Sequence, residues 1–229
     1  MKNKSVCYTE LAYVLGIVFL AFGTALMERA DYGMSMVVAP AYLLHLKISQ
    51  VLPVFSFGMS EYVFQAFLLI VLSIVMRRFR KGYLFSFVTA VIYGVALDLA
   101  IAAVAFLPCA GMQMRLLFYL LGMVLCSIGV AFFFRTYISP EAYELFVKEL
   151  SDKLGIGVGR VKTVYDCVSC LAGIVLSFAF FGFGHFEGVK LGTIFCALVN
   201  GWLIGRISDE MEASFEFKDA LALRRFFEQ

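Results

Sequence analysis

The sequence predicts an all-α polytopic membrane protein with six transmembrane helices, arranged as two inverted three-helix repeats. Each repeat contains a short helix between its first and second spans. Three observations predict this fold class. Hydrophobic residues make up 62% of the 229 residues, whereas about 45–50% is usual in a soluble domain. Apolar runs near the roughly 20 residues that cross a bilayer recur, with charged clusters between them. A residue pattern also recurs after about 105 positions.

The predicted spans are bounded by charged clusters and by proline, a residue that interrupts helices. The first apolar run follows Lys2 and Lys4 like a signal peptide, but it ends in MERADYG without a small-residue cleavage pattern. We therefore interpret it as the first span. The spans are predicted at 11–29, 55–76, 83–107, 114–134, 162–183 and 189–206. Residues 1–229 then form one membrane domain, in which 207–229 is a cytoplasmic amphipathic tail.

Positive charges orient the chain across the bilayer. If the N-terminus is cytoplasmic, 15 of the 19 Lys and Arg residues lie on the cytoplasmic side, as the positive-inside rule requires. Both termini are therefore predicted to be cytoplasmic. The net charge of +2 does not indicate nucleic-acid binding. Most of the cysteines lie within apolar runs, so no disulfide framework is predicted.

The internal repeat relates 11–107 to 114–206. An ordered series of Gly, Arg, Pro and Tyr occurs as Gly23, Arg29, Pro40 and Tyr42 and again as Gly129, Arg135, Pro140 and Tyr143. Gly94 in the third span matches Gly201 in the sixth. Chance matching of apolar letters is the alternative, but this order is not generic hydrophobicity. Because each copy has three spans, the second copy enters from the opposite face, an arrangement frequent in secondary transporters.

The segment between the first two spans of each copy is too short or too polar to cross. In the second copy Ser139 is the predicted N-cap, Pro140 the first helical residue and Gly155 the terminator. Its apolar stripe predicts an amphipathic helix on the cytoplasmic surface. The counterpart SMVVAPAYLLHLKIS is more apolar, and we predict that it enters the membrane from outside as a half-helix.

Three strings in order resemble the YczE/YitT-type family of bacterial integral membrane proteins: FGTALMERADYGMSMVVAPAY, GIGVGRVKTVYD and FGFGHFEGVKLGTIFCALVNGWLIG. The resemblance covers about 15–206. It implies this fold and topology in a bacterial cytoplasmic membrane and no settled substrate. The chain departs from the usual glycine-rich segment after the first span at Met34, Met36, Val37 and Val38, so the shape of that segment stays open.

Ionisable and polar residues at membrane depth are costly, and each is therefore a functional candidate. We predict a substrate-binding group and a surrounding group. The substrate-binding group is Arg29, Asp31, Asp98, Arg135, Asp166 and Asn200, and the surrounding group is Glu61, Tyr42 and Tyr143.

Each candidate has a structural alternative. Asp98, isolated in the third span, either contacts substrate or protons or is bonded to an arginine or a helix dipole. We expect its side chain to point to a cavity or to a polar partner in the other repeat, such as Asn200. Asn200 itself either joins helices or lines a polar path. Glu61 and Asp166 open their spans, where each is alternatively bonded to its own helix N-terminus.

Arg29 and Arg135 occupy equivalent positions at the ends of the first and fourth spans. The planar guanidinium fork suits carboxylate or phosphate recognition. The alternatives are extension of the side chain to the membrane surface and, for Arg29, pairing with neighbouring Glu28 and Asp31.

No metal, cofactor or catalytic residue is predicted. Cys167 and Cys170 form a CxxC without a second pair, which favours helix packing over a zinc or redox site. Gly201 and Gly205 likewise favour tight helix packing. A metal site among His45, His185 and Glu187 is the weaker alternative. Because no catalytic motif is present, an enzyme is disfavoured.

The sequence therefore favours a small membrane permease, transporter or channel-like, for an unidentified metabolite or ion. The polar site would lie between the inverted repeats. The alternatives are a substrate-capturing subunit of a larger transporter and a non-transporting scaffold or regulatory protein. The lipid bilayer is the implied partner, and the sequence allows a homodimer. A water-filled cavity at the repeat interface, reachable from one side, would distinguish a permease from a scaffold.

Overall fold

The computed structural model describes residues 5–182, 189–221 and 224. Most of these residues are helical, and six of the helices are long and apolar enough to cross a membrane: α1, α3, α4, α5, α7 and α8. The predicted all-α class and the six spans are confirmed. The elements are β1 (Ser5–Tyr8), α1 (Thr9–Ala30), α2 (Ala39–Ile48), α3 (Phe57–Met76), α4 (Lys81–Val104), α5 (Met112–Phe133), α6 (Ala142–Leu154), α7 (Val158–Phe181), α8 (Leu191–Ser214) and β2 (Phe215–Lys218).

The last helix continues to Ser214, beyond the predicted end of the sixth span, and leads directly into β2. Strand β2 pairs with β1 in parallel, with Ser5 opposite Phe215 and Tyr8 opposite Lys218. The sequence analysis did not predict this pair. Because β1 precedes the first span and β2 follows the last one, the start of the first span and the end of the last one lie at the same end of the bundle.

Helices α1 and α5 form the centre of the bundle and touch through glycines. A Cβ added to Gly23 would lie 2.7 Å from the carbonyl oxygen of Gly122. A Cβ on Gly16 would lie 3.3 Å from that of Gly129. Since the earlier glycine of α1 faces the later glycine of α5, the two helices run antiparallel. Without side chains at these positions, the backbones approach closely, as is common between membrane helices.

The other helices surround this central pair in matching ways. Helix α4 packs on α1, and α8 packs on α5; α3 packs on α4, and α7 packs on α8. Helix α2 contacts α3 and α7, whereas α6 contacts α7 and α3. Each of these contacts has a counterpart when α1–α4 are exchanged with α5–α8.

Helix α6 is inserted into the bundle, contrary to the expectation of a surface helix. At its start the Ala142 N–H donates to Gln65 Oε1 at 3.0 Å, in the middle of α3. Near its end Glu149 pairs with Arg78 and Arg80 at 3.0 and 2.6 Å, just after α3. The helix therefore runs beside the second half of α3, with its N-terminus inside. Its N-cap is Glu141 instead of Ser139, and Gly155 ends it in the left-handed conformation as predicted.

Helix α2 takes the corresponding position beside α7. A Cβ on Gly173, in the middle of α7, would lie 3.7 Å from the Ala39 side chain. At the other end Lys47 Nζ donates to the carbonyl of Phe180 at 3.2 Å. The N-terminus of α2 thus also lies inside the bundle, which agrees with the predicted half-helix. Two short helices therefore point their N-termini inward from opposite ends.

Candidate functional site

Four carboxylates are buried where α3, α6 and α7 meet. Glu61, Glu141, Glu144 and Asp166 are each at most 3% exposed. Lys162, which is 7% exposed, lies among them on α7. We call these five residues the acidic cluster. Its first member belongs to the first predicted repeat and the other four to the second, so the cluster lies between the two copies.

On the α3 side, an amide and a phenol connect two of the carboxylates. Gln65 Nε2 donates to Glu141 Oε2 at 2.9 Å and, more weakly, to Glu61 Oε2 at 3.3 Å. Tyr143 Oη donates to Glu61 Oε2 at 2.9 Å. Because Gln65 Oε1 also accepts the first N–H of α6, this amide fixes the α6 N-terminus against α3.

On the α7 side, Lys162 and Asp166 are spaced four residues apart and therefore share one helix face. Their charged atoms are 3.1 Å apart. The Lys162 ammonium also interacts electrostatically with Glu144 of α6. Lys162 thus interacts with carboxylates from two helices, α6 and α7.

The cluster has more carboxylate oxygens than donors. Among the described residues, Glu61 Oε1, Glu141 Oε1 and Glu144 Oε2 are buried without a hydrogen-bond partner. An uncompensated buried charge is strongly unfavourable. Burial raises the pKa of the Glu141 carboxyl well above its ordinary value, and neighbouring Glu144 and Glu61 raise it further. Burial also raises the pKa of Glu144, against the lowering effect of Lys162.

A cavity of about 710 Å³ leads to the cluster. Glu144 is in its wall, and charged side chains, Arg80, Lys148, Asp152 and Arg224, line it as well. The first predicted repeat contributes residues around Tyr83 to the wall, and the second contributes the segment from Phe133 through α6. The cavity therefore lies at the interface of the copies and connects to the end of the bundle that holds Arg80.

Residues 7–209 match the protein family described as a family of unknown function, DUF6198. The match extends from β1 through most of α8, and so it includes all six spans and the acidic cluster. The chain belongs to DUF6198. The match does not name the YczE/YitT-type family that the motifs resemble. No curated protein and no solved structure matches the chain.

Three of the predicted site residues of this DUF6198 protein meet in or beside the cluster. Glu61 and Asp166 are members of it, and Tyr143 bonds to Glu61. The remaining predicted residues lie elsewhere and contact residues outside the cluster: Arg29, Asp31, Tyr42, Asp98, Arg135 and Asn200.

Asp98 bonds to the start of α3 within its own copy. It accepts from Ser56 Oγ at 2.5 Å and from the Gly58 N–H at 2.8 Å. The Ser56 hydroxyl is in turn the N-cap of α3 and accepts from the Met59 N–H. The expected partner in the other repeat is therefore wrong, because the positive end of a helix and its capping serine lie closer at hand.

Arg29 and Arg135 each bond to the end of the last helix of their own copy. Arg29 Nη2 donates to the carbonyls of Ala105 and Leu107 at 3.2 and 3.3 Å, just after α4. Arg135 Nη2 donates to the Ser208 carbonyl at 3.1 Å, near the end of α8, and pairs with Glu212. The two arginines thus make equivalent contacts at opposite ends of the bundle.

Asp31, Asn200 and Tyr42 also contact residues outside the cluster. Asp31 ends α1 and pairs with Arg115 and Lys190 at an exposed position. Asn200 is buried, and its Oδ1 accepts from Ser127 Oγ at 2.8 Å, which joins α8 to α5. The Tyr42 ring packs edge-on against Phe57 at 5.1 Å.

The metal alternative gains no support from the described part of the chain, in which no three His, Cys, Asp or Glu residues are arranged to hold a metal ion. His45 Nδ1 lies 2.9 Å from the Phe55 carbonyl. The other two residues of that alternative, His185 and Glu187, are outside the described residues. Cys167 is exposed, and Cys170 is half-buried.

Sequence reasoning missed Gln65, Glu141, Glu144 and Lys162. Glu141 and Glu144 were assigned to a surface helix, where carboxylates in the first turn are ordinary. The available signal was the spacing of Lys162 and Asp166, which places an ion pair on one face of a predicted span. A pair at membrane depth suggests further charged partners on the neighbouring helices.

Proposed function

We propose that this DUF6198 protein is a small membrane permease, and that the acidic cluster is the binding site for its cargo, a small metabolite or ion. The cavity with Glu144 in its wall is the observation on which the proposal chiefly rests. It lies between the two copies, and one oxygen of Glu144 is buried without a partner. A scaffold needs neither an internal cavity nor an unpaired buried carboxylate.

The arrangement of the helices supports an inverted repeat. Exchange of α1–α4 with α5–α8 reproduces the contacts described above. The two central helices cross antiparallel through equivalent glycines. A two-fold axis that relates them must be perpendicular to the helices and therefore in the membrane plane. Secondary transporters commonly place their sites at such an interface, near the middle of the bilayer.

The inserted helices α2 and α6 also support transport. Non-helical backbone at membrane depth is tolerated where it is buried in protein or lines a water-filled cavity. The segment before α6 lines the cavity with Ser139 and Pro140. Half-helices whose N-termini point to a central site are a frequent device of secondary transporters.

The charge distribution gives the orientation that we propose, with both termini in the bacterial cytoplasm. The cavity then opens to the cytoplasm, since Arg80 and Lys148 are in its wall. Thiol labelling of an Arg78→Cys variant tests this: we expect an impermeant reagent to label inverted vesicles and not intact cells. Labelling in intact cells would reverse the orientation.

The transport proposal can be tested in proteoliposomes with a panel of labelled amino acids, nucleobases, sugars, amines and monovalent ions. We expect uptake of at least one class by the wild-type protein and loss of that uptake in Glu144→Gln. Glu216→Gln is the control, because Glu216 is exposed on β2 and is not among the residues that line the cavity. Uptake equal to that of protein-free liposomes for every class would reject the permease and favour a scaffold.

A further inference from the structure

We propose that the acidic cluster is a proton-binding site that exchanges protons with the cavity through Glu144. The inference deepens the proposed function, from which it takes only the assignment of the cluster as the binding site. It names the coupling ion of that site.

The buried carboxylates of the cluster outnumber its buried cation. Four buried carboxylates surround one buried ammonium, so full ionisation would leave a net charge of three negative units in a dry site. The three buried oxygens without partners show that protein donors do not offset this charge. Cations from outside the chain must therefore offset most of it.

Among the residues that the structure describes, the surrounding helices supply no second positive group. The titratable groups that act on the cluster are Glu61 and Tyr143 beside Gln65, Lys162, Tyr165 and Asp166 on α7, Tyr13 on α1, Tyr93 on α4, Cys126 on α5 and Cys196 on α8. Lys162 is the one cation among them. Arg80 and Lys148 line the cavity, and Arg80 is already paired with Glu149.

The geometry favours protons over a metal ion. A calcium or magnesium ion needs about six or more oxygen ligands that converge on one point. In the described residues no three carboxylates converge in this way. Glu61 and Glu141 are each held through one oxygen by Gln65, and Tyr143 also holds Glu61. A proton needs only the remaining free oxygen of each carboxylate and no rearrangement.

The cavity provides the route. Hydronium in the cavity water donates its proton to a Glu144 oxygen and leaves as water, and the reverse transfer returns the proton to the cavity. Glu141, three residues away and one helical turn from Glu144 on α6, interacts electrostatically with it. Glu61 lies behind, across the Gln65 amide. The proton therefore enters at Glu144, and the inner carboxylates share the charge.

Infrared spectroscopy of the protein reconstituted in vesicles tests the proposal, through the C=O stretch of protonated carboxyl groups. We expect this band in the wild type at neutral pH and its loss as the pH is raised. Glu141→Gln and Glu144→Gln should each reduce the band, whereas Glu216→Gln should leave it unchanged. Since glutamine mimics the protonated acid in shape, we expect both variants to fold, and the wild-type titration needs no variant at all.

Each outcome decides the question. Absence of the band in the wild type at neutral pH would overturn the proposal. A band that disappears at constant pH when sodium or potassium replaces choline would assign the site to a metal ion instead. The measurement does not require that the protein moves anything. A titrating band in a protein without uptake would therefore reject the permease and support the proton site. Uptake without the band would support the permease and reject the proton site.

Discussion

The two predicted copies of the bundle differ at the glycines that the repeat matches in their last spans. In the first copy, a Cβ added to Gly94 of α4 would lie 2.6 Å from the carbonyl oxygen of Gly58 on α3. In the second copy, Gly201 of α8, the residue that the repeat matches with Gly94, has open space around it in the described part of the chain. The first copy thus has a close backbone contact between α3 and α4 at Gly94. In the described part of the chain, Gly201 of the second copy makes no such contact.

The same copies differ in how many of their carboxylates are fully hydrogen-bonded. Asp98 in the first copy has a hydroxyl and a backbone N–H as donors. In the second copy, Glu141 and Glu144 each keep a buried oxygen without a partner, as Glu61 does in the first copy. Regions with fewer internal contacts open at lower free-energy cost. In the proposed permease we therefore expect the second copy, which contributes four of the five residues of the acidic cluster, to be the more mobile one.

Removal of the buried cation should have the largest effect. Lys162→Met leaves Asp166 without its ion pair, and loss of one partner of a buried pair costs about 3–5 kcal/mol. We expect this loss in the free energy of unfolding in detergent, larger at high pH, where the carboxylates cannot take up protons instead. Lys190→Met is the matched control: its pair with Asp31 is exposed and is worth about 0–1 kcal/mol.

The double variant Lys162→Met/Asp166→Asn sharpens this test. Because both charges are removed together, we expect it to recover part of the lost stability. If Lys162→Met were as stable as Lys190→Met, the buried pair would not hold α7 in place. The electrostatic difference between the two copies would then have no effect on stability.

The glycine contrast predicts an intermediate effect. Gly94→Ala places a methyl group against the Gly58 carbonyl and 3.1 Å from the Tyr62 ring, and overpacking of this kind costs about 1–3 kcal/mol. Gly201→Ala meets nothing within the described chain, and we expect no loss or a gain of up to about 1 kcal/mol from helix propensity. Thermal unfolding in detergent measures both. Equal losses would mean that α7 and α8 cross as closely in solution as α3 and α4.

How far the sequence could predict this molecule depended on whether the deciding contact was local. The spans follow from hydrophobic length, and the left-handed end of α6 at Gly155 follows from glycine. The position of α6 could not be predicted, because an amphipathic helix on a surface and one whose polar face lines a cavity share one pattern. Strands β1 and β2 pair across the length of the chain, with no local signal.

The candidate site shows the same division. Asp166 and Glu61 were found because each is a charge within an apolar run, which is visible locally. Glu141 and Glu144 were missed because their burial depends on α3 and α7. The partners of Asp98 were missed for a similar reason: its donors, Ser56 and Gly58, precede or begin a different helix, and its isolation in the sequence concealed them.

The smallest expected effect separates the two interpretations of Asp98. Asp98→Ala removes the acceptor of the Ser56 hydroxyl and of the Gly58 N–H, and loss of such a cap costs about 1–2 kcal/mol. Asp98→Asn keeps an oxygen acceptor in the same place, so we expect it to recover part of the stability. If the carboxylate only fixes the start of α3, uptake per folded molecule should be unchanged in Asp98→Asn, and its pH dependence should match the wild type. If Asp98 instead contacts cargo or protons, Asp98→Asn should keep its stability but lose uptake or shift its pH profile. That result would place a second functional group in the first copy, apart from the acidic cluster, and the division between a fixed first copy and a mobile second copy would fail.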